Sequence, residues 1–159
     1  MGPMDITTRL EFAAAPPEVY AMLTDAQYLD EVCRATESSS YDVDVAGSTT
    51  RTTRSFPAPD AVARFVGGTL TVTEQTVWGE AAADGTRTGE LEMTVQGQPV
   101  SMKGQLALAP AGPGTVVELT GALKVAIPLL GKKLEQSSAP AVLAGFSKQQ
   151  EVGSRWLAR

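Results

Sequence analysis

The most constraining feature of this sequence is a series of strand-like segments followed by one long helical segment. Between Glu37 and Ala126 most stretches alternate apolar and polar residues and end at glycine- or proline-containing turns, a pattern typical of antiparallel strands with one buried face. A similar segment, Asp5 to Phe12, precedes them. Seven such strands leave an apolar face that needs a cover, and only the segment from Leu129 to about Leu157 is long enough to cover it.

Two short helices are predicted between the first and second strands. Pro17 suits the first turn of a helix that extends to Leu23, and Thr24 or Asp25 can cap a second helix that ends near Arg34. The predicted fold class is therefore α+β, with a curved seven-stranded antiparallel sheet wrapped around a long C-terminal helix.

The length of 159 residues, with 43% hydrophobic and 19% charged residues, fits one globular domain. We assign residues 4–159 to it and interpret Met1-Gly2-Pro3 as a cloning remnant. No apolar run of about 18 residues is present, so we predict no stable membrane insertion and a cytoplasmic location. The net charge of −5 and the scattered basic residues argue against nucleic acid as a partner.

The absence of histidine excludes several kinds of chemistry. Ser-His-Asp and Cys-His nucleophiles, imidazole acid–base catalysis and histidine-containing zinc sites all need this side chain. Cys33 is the single cysteine, so it forms neither an internal disulfide nor a thiolate cluster, and we interpret it as a buried structural thiol. We predict no metal site and no cofactor.

Turn residues place three glycines at one level of the buried face. A two-residue turn at Gln96-Gly97 would put Gly89 opposite Gly104, and a loop from Ala111 to Gly114 would put Gly104 opposite Gly121. Such glycines either let the long helix approach the sheet or leave space, and we favour close helix contact because interiors are tightly packed.

Charged residues are predicted on the same buried face. In the strand from Thr69 to Trp78, alternation places Glu74 on the same face as the apolar residues. Arg51 and Arg54 are three residues apart in another strand, so they lie on opposite faces and one of them faces inward. An inward carboxylate requires a partner, a protonated form or a polar ligand. Pairing with an arginine is the structural explanation, and a polar binding site is the functional one.

The order of elements resembles the helix-grip fold of the START-like superfamily, which includes birch-pollen-allergen, lipid-transfer and polyketide cyclase/aromatase families. The resemblance extends from Ile6 to Trp156. Within that superfamily the chain resembles an actinobacterial family of unknown function. The residues that carry this narrower resemblance are Phe65 to Val72, Trp78-Gly79, Asp84 to Gly89 and Val125 to Glu135.

The resemblance implies a cavity between the sheet and the C-terminal helix that binds a hydrophobic small molecule of lipid, isoprenoid or polyketide type. We favour a carrier or sensor over an enzyme. The predicted lining residues are Leu70, Val72, Glu74, Trp78, Leu91, Met93, Met102, Leu106, Leu119, Leu123, Ala141 and Phe146. The sequence leaves the oligomeric state open.

Two other functions are compatible with this fold, because it hosts carriers, sensors, cyclases and interaction domains. In a polyketide cyclase or aromatase, Glu74 would accept a proton and Arg51 or Arg54 would stabilise an oxyanion. Three tyrosines would add hydroxyl groups: Tyr20, Tyr28 and Tyr41. A ligand-free protein-interaction module with a collapsed core is the third possibility.

Overall fold

A computed structural model describes residues 2–159. Met1, which belongs to the predicted cloning remnant, lies outside the described residues. Within residues 2–159 the elements follow in the order β1 (Met4–Phe12), α1 (Pro16–Leu23), α2 (Ala26–Ala35), β2 (Ser40–Ala46), β3 (Thr49–Pro57), α3 (Asp60–Val66), β4 (Thr69–Trp78), β5 (Arg87–Val95), β6 (Val100–Ala111), β7 (Gly114–Val125) and α4 (Gly131–Leu157).

The seven strands form one antiparallel sheet in the order β1-β7-β6-β5-β4-β3-β2. Successive strands from β2 to β7 are neighbours, and β1 pairs with β7 at the far edge. The two short helices α1 and α2 therefore carry the chain from one edge of the sheet to the other. This arrangement confirms the predicted α+β helix-grip architecture.

Alternate residues of the central strands form the core with α4. In β6 and β7 the buried side includes Met102, Leu106 and Leu119, and α4 contributes the buried ring of Phe146 to the same core. Each of these large side chains contributes about 1.5–3 kcal/mol on leaving water. The period of two along each strand thus builds one continuous apolar face.

Helix ends follow from local chemistry. Asp25 caps α2, because its carboxylate accepts a hydrogen bond from the backbone N–H of Gln27 at 2.8 Å. Leu129 has a φ of 68°, which is outside the helical region, so α4 begins two residues later than predicted, at Gly131. Although α4 has 27 residues, no helix within residues 2–159 is both long and apolar enough to span a membrane.

The connection between β5 and β6 is longer than predicted. Thr94 pairs with Ser101, so the loop consists of the four residues 96–99 and not of two. Pro99 has no N–H to donate to the ladder, and its carbonyl accepts a hydrogen bond from the N–H of Ala126 at 2.8 Å.

This longer loop shifts the register of one glycine pair by two residues. Gly104 faces Gly121, as predicted, but its partner in β5 is Leu91, and Gly89 lies opposite Leu106. The predicted pairing of Gly89 with Gly104 is therefore wrong.

The space above these glycines is filled by side chains of the sheet itself. A Cβ added at Gly89 would lie 2.8 Å from the indole ring of Trp78, and one added at Gly104 would lie 3.1 Å from Cδ1 of Leu119. We expected close contact with the long helix at this level, but the nearest atoms belong to neighbouring strands.

Candidate functional site

A cavity of about 550 Å³ lies between the sheet and α4. Small-molecule sites commonly have volumes of about 300–1,000 Å³, so its size suits a ligand. Strands β3 to β7 and α4 form most of its wall, and α3 and the C-terminal end of α2 complete it. Most of the wall is apolar.

Eight of the residues predicted to contact a ligand lie on the surface of this cavity: Leu70, Val72, Glu74, Met93, Met102, Leu123, Ala141 and Phe146. Their role in binding stays a prediction. Glu74, Met93, Met102 and Leu123 are cross-strand partners in one row across β4 to β7.

The other four predicted lining residues do not line the cavity. Trp78, Leu91, Leu106 and Leu119 are buried in the main core. Trp78, Leu106 and Leu119 share a second row through Gly89. This row is packed because Tyr20 of α1 covers Trp78 edge-to-face, with ring centres 6.1 Å apart.

Of the two arginines on opposite faces of β3, one faces the cavity. Arg54 lies on its wall, and Arg51 is exposed on the opposite face of β3, which removes Arg51 from the candidate site. Cζ of Arg54 lies 5.1 Å from the centre of the Phe56 ring. Within residues 2–159 no carboxylate oxygen lies within 4.0 Å of the Arg54 guanidinium, so the predicted Arg–Glu ion pair does not form.

The carboxyl group of Glu74 faces the cavity beside α4. Burial raises its pKa, while the charge of Arg54 and a hydrogen bond from Gln149 oppose the shift. Nε2 of Gln149 lies 3.5 Å from Oε2 of Glu74, so this bond is long. The side chain of Glu74 is half-buried, since part of it borders the cavity, and protein surrounds the rest of it. Burial therefore favours a neutral carboxyl that can donate a hydrogen bond.

None of the three tyrosines lies on the cavity wall described for residues 2–159. The hydroxyl of Tyr28 donates to the carbonyl of Gln149 at 2.8 Å, and burial raises its pKa. The ring of Tyr20 packs under the guanidinium of Arg87, whose Cζ lies 3.6 Å from the ring centre. Tyr41 is exposed on β2. The tyrosines considered for catalysis are therefore not part of the described cavity wall.

Cys33 is a buried thiol on α2, as predicted. Burial raises its pKa to about 11; the charge of Arg54 opposes this shift, and the charges of Glu74 and Asp30 add to it. The group is therefore protonated at neutral pH. In the range 2–159 no cluster of three or more His, Cys, Asp or Glu side chains is arranged to hold a metal ion.

Sequence reasoning missed the contribution of α3 and of Gln149. Val62 of α3 packs with Val125 and Leu134 and closes one side of the cavity. Gln149 lies three residues after Phe146, so helical spacing places both on one face of α4 and would have identified it.

A family model described as a protein of unknown function, DUF2505, matches residues 7–157. The chain belongs to this family. No curated protein matches the sequence.

Solved structures share the fold of this DUF2505 chain. TTHA0849 from Thermus thermophilus is 20% identical, with a TM-score of 0.63 over 94% of this chain and 97% of that one. A STAR-related lipid transfer protein from Xanthomonas axonopodis is 16% identical, with a TM-score of 0.60 over 96% and 85%. The di-domain ARO/CYC protein StfQ from the steffimycin biosynthetic pathway is 14% identical, with a TM-score of 0.66 over 97% of this chain and 50% of StfQ. These similarities show that the chain has the helix-grip fold.

The site of the DUF2505 chain can thus enclose an apolar body and offer hydrogen bonds on one side. Arg54 supplies donors, and Glu74 supplies either a donor or an acceptor according to its protonation. The other polar residues that border the cavity are Thr36, Glu37, Ser101, Ser138, Lys148 and Gln149. The rest of the wall is apolar and contributes dispersion contacts.

Proposed function

We propose that this DUF2505 protein binds a hydrophobic small molecule of lipid, isoprenoid or polyketide type between the sheet and α4. It acts as a carrier or sensor, and its proposed location is the cytoplasm. The observation that carries the proposal is the mainly apolar cavity of about 550 Å³. Protein interiors are otherwise close-packed, and an apolar ligand in this cavity would make dispersion contacts with its wall.

The structural neighbours are consistent with this class of ligand. One is named as a lipid transfer protein, and another is an ARO/CYC protein of a biosynthetic pathway. Since the identities are low, the neighbours support a class of function and leave the ligand to be identified by experiment.

A cavity-filling substitution tests the proposal. Ala141 and Ser147 are exposed residues of similar size on α4, and only Ala141 borders the cavity. We expect the neutral fluorophore N-phenylnaphthylamine to bind the wild-type protein and raise its Tm. Ala141→Phe should weaken binding by about tenfold or more, since the new ring occupies ligand volume. Ser147→Phe should leave binding unchanged.

Equal binding by the wild-type and Ala141→Phe proteins, with both folded by circular dichroism, would contradict binding in this cavity. If no apolar probe of any size binds or raises the Tm, the ligand-free interaction module is the better description.

A cyclase or aromatase is the second candidate, because Glu74 and Arg54 share one cavity wall. Glu74 would exchange a proton with the substrate, and Arg54 would stabilise a developing oxyanion. In that case Glu74→Gln should abolish turnover of a polyketide-like substrate and leave its binding intact. Equal loss of binding and turnover would argue against catalysis by Glu74.

A further inference from the structure

The cavity wall changes in chemical character across the sheet. On the β3–β4 side it carries Arg54 and Glu74, and Gln149 of α4 lies against them. On the β7 side, four strand positions from Arg54, it is formed by apolar residues such as Val125 and Leu134. A ligand that satisfies both sides has one polar end and one apolar body.

Arg54 makes no direct ion pair on the cavity wall within the described residues. Its guanidinium forms no ion pair or hydrogen bond among the described residues 2–159. Phe56 lies under it, a Cβ added at Gly145 of α4 would lie 3.9 Å from its Nη2, and the charge of Glu74 acts on it from beyond ion-pair distance. Because guanidinium stays protonated and offers up to five N–H donors, a ligand that reaches it needs acceptor oxygens.

Glu74 adds a second polar group within the same part of the wall. Its carboxyl group interacts electrostatically with Arg54 of β3 and with Tyr28 and Cys33 of α2, and it accepts a hydrogen bond from Gln149 of α4. Lys148, which also borders the cavity, forms an ion pair with Glu151 at 3.0 Å, and Glu37 at the end of α2 adds a second carboxylate to the wall. In its neutral form Glu74 donates a hydrogen bond to the same acceptor group that Arg54 binds.

We infer that the ligand is an amphipathic carboxylic acid, whose carboxylate binds Arg54 and whose apolar body extends beneath α4 towards Val125 and Leu134. The planar guanidinium matches a carboxylate with two parallel hydrogen bonds, which distinguishes an acid from an alcohol of the same chain length. This inference rests on the proposed function and specifies its ligand.

Two probes with the same alkyl chain test the inference. Tetradecanoic acid and tetradecanol are titrated at neutral pH against wild-type protein loaded with N-phenylnaphthylamine, and displacement gives each Kd. We expect the acid to bind about tenfold tighter than the alcohol or better, because its charged group forms stronger hydrogen bonds.

Substitution of the two arginines of β3 assigns this difference to one side chain. Arg54→Gln should weaken acid binding by about tenfold to a hundredfold and change alcohol binding by less than about threefold. Arg51→Gln, on the opposite face of the same strand, should change neither. If Arg54→Gln does not fold, Arg54→Lys keeps the charge without the planar fork and should still reduce the preference for acid.

Three results would overturn the inference: equal binding of acid and alcohol by the wild-type protein, equal weakening of both by Arg54→Gln, or displacement by neither compound. The fluorophore separates these results from failure of the proposed function. Where N-phenylnaphthylamine binds and Ala141→Phe weakens it, apolar ligand binding stands and only the acid specificity fails. Where no apolar probe of any size binds, both fail.

Discussion

Two glycines of α4 have opposite surroundings. A Cβ added at Gly153 would lie 2.6 Å from Cε1 of Phe12 and 3.0 Å from Cε of Met22. At Gly145 the nearest atom within 4 Å is Nη2 of Arg54, at the end of a flexible side chain. Gly153 therefore permits close packing of α4 on β1 and α1, and Gly145 lies beside open space.

Alanine substitutions at these positions should have opposite effects on stability. Gly153→Ala should lower the free energy of unfolding by about 1 to 3 kcal/mol, since overpacking outweighs the gain in helix propensity. Gly145→Ala should raise it by about 0.5 to 1 kcal/mol, because alanine restricts the unfolded chain and meets no obstacle. Urea unfolding curves measure both, and changes of the same sign would contradict this description of the helix.

The sequence predicts which face of the sheet a side chain occupies better than it predicts the residue opposite it on the neighbouring strand. It identified the inward position of Glu74 and limited the arginines to one inward side chain, because side chains alternate along a strand. It could not choose Arg54 over Arg51, since the threonine-rich strand has no apolar face to orient it. Its pairing with β4, in which Arg54 is opposite Val72, decides the choice.

At the scale of elements, Glu74 couples β4 to α4 in a pH-dependent way. The pKa of its carboxyl is raised in the folded protein, chiefly by burial. Between the ordinary glutamate pKa and this raised value, the folded state keeps a proton that the unfolded state releases. The contribution of this group to stability is therefore present at low pH and is lost as pH rises through the raised pKa.

Glu74→Gln should remove this dependence. We expect the free energy of unfolding of the variant, relative to wild type, to increase as the pH is raised from about 4 to about 8. Glu92→Gln, at an exposed position of the neighbouring strand β5, is the matched control and should show no such trend. Urea unfolding at several pH values measures the difference, and parallel profiles for Glu74→Gln and wild type would contradict the burial of Glu74.

The position of a residue along its strand, in the packed core or beside the cavity, was harder to predict than the sheet face that it occupies. Leu91 and Met93 share a face, yet Leu91 lies in the packed core and Met93 lines the cavity. The division depends on the four-residue loop after β5 and on α1, which covers the level of Trp78. The alternation of apolar and polar residues along a strand predicts neither the length of that loop nor the position of α1.

At the scale of the whole molecule, the α+β fold could be predicted because only one segment could cover the sheet. The function could not, because this fold supports carriers, sensors and enzymes. The same apolar residues either fill a core or line a void, so composition and periodicity do not reveal a cavity. Its existence depends on how far α4 stands from β3 to β7, which is a property of the packed structure.

Native mass spectrometry tests binding of a hydrophobic small molecule most directly. The protein, purified without detergent and incubated with a total lipid extract, is weighed intact and then denatured to identify any released compound. We predict one small-molecule adduct per chain on the wild-type protein and on Ser147→Phe, and loss of that adduct in Ala141→Phe. A ligand-free mass for the wild-type protein after this incubation, or an adduct that Ala141→Phe retains in full, would contradict the central claim.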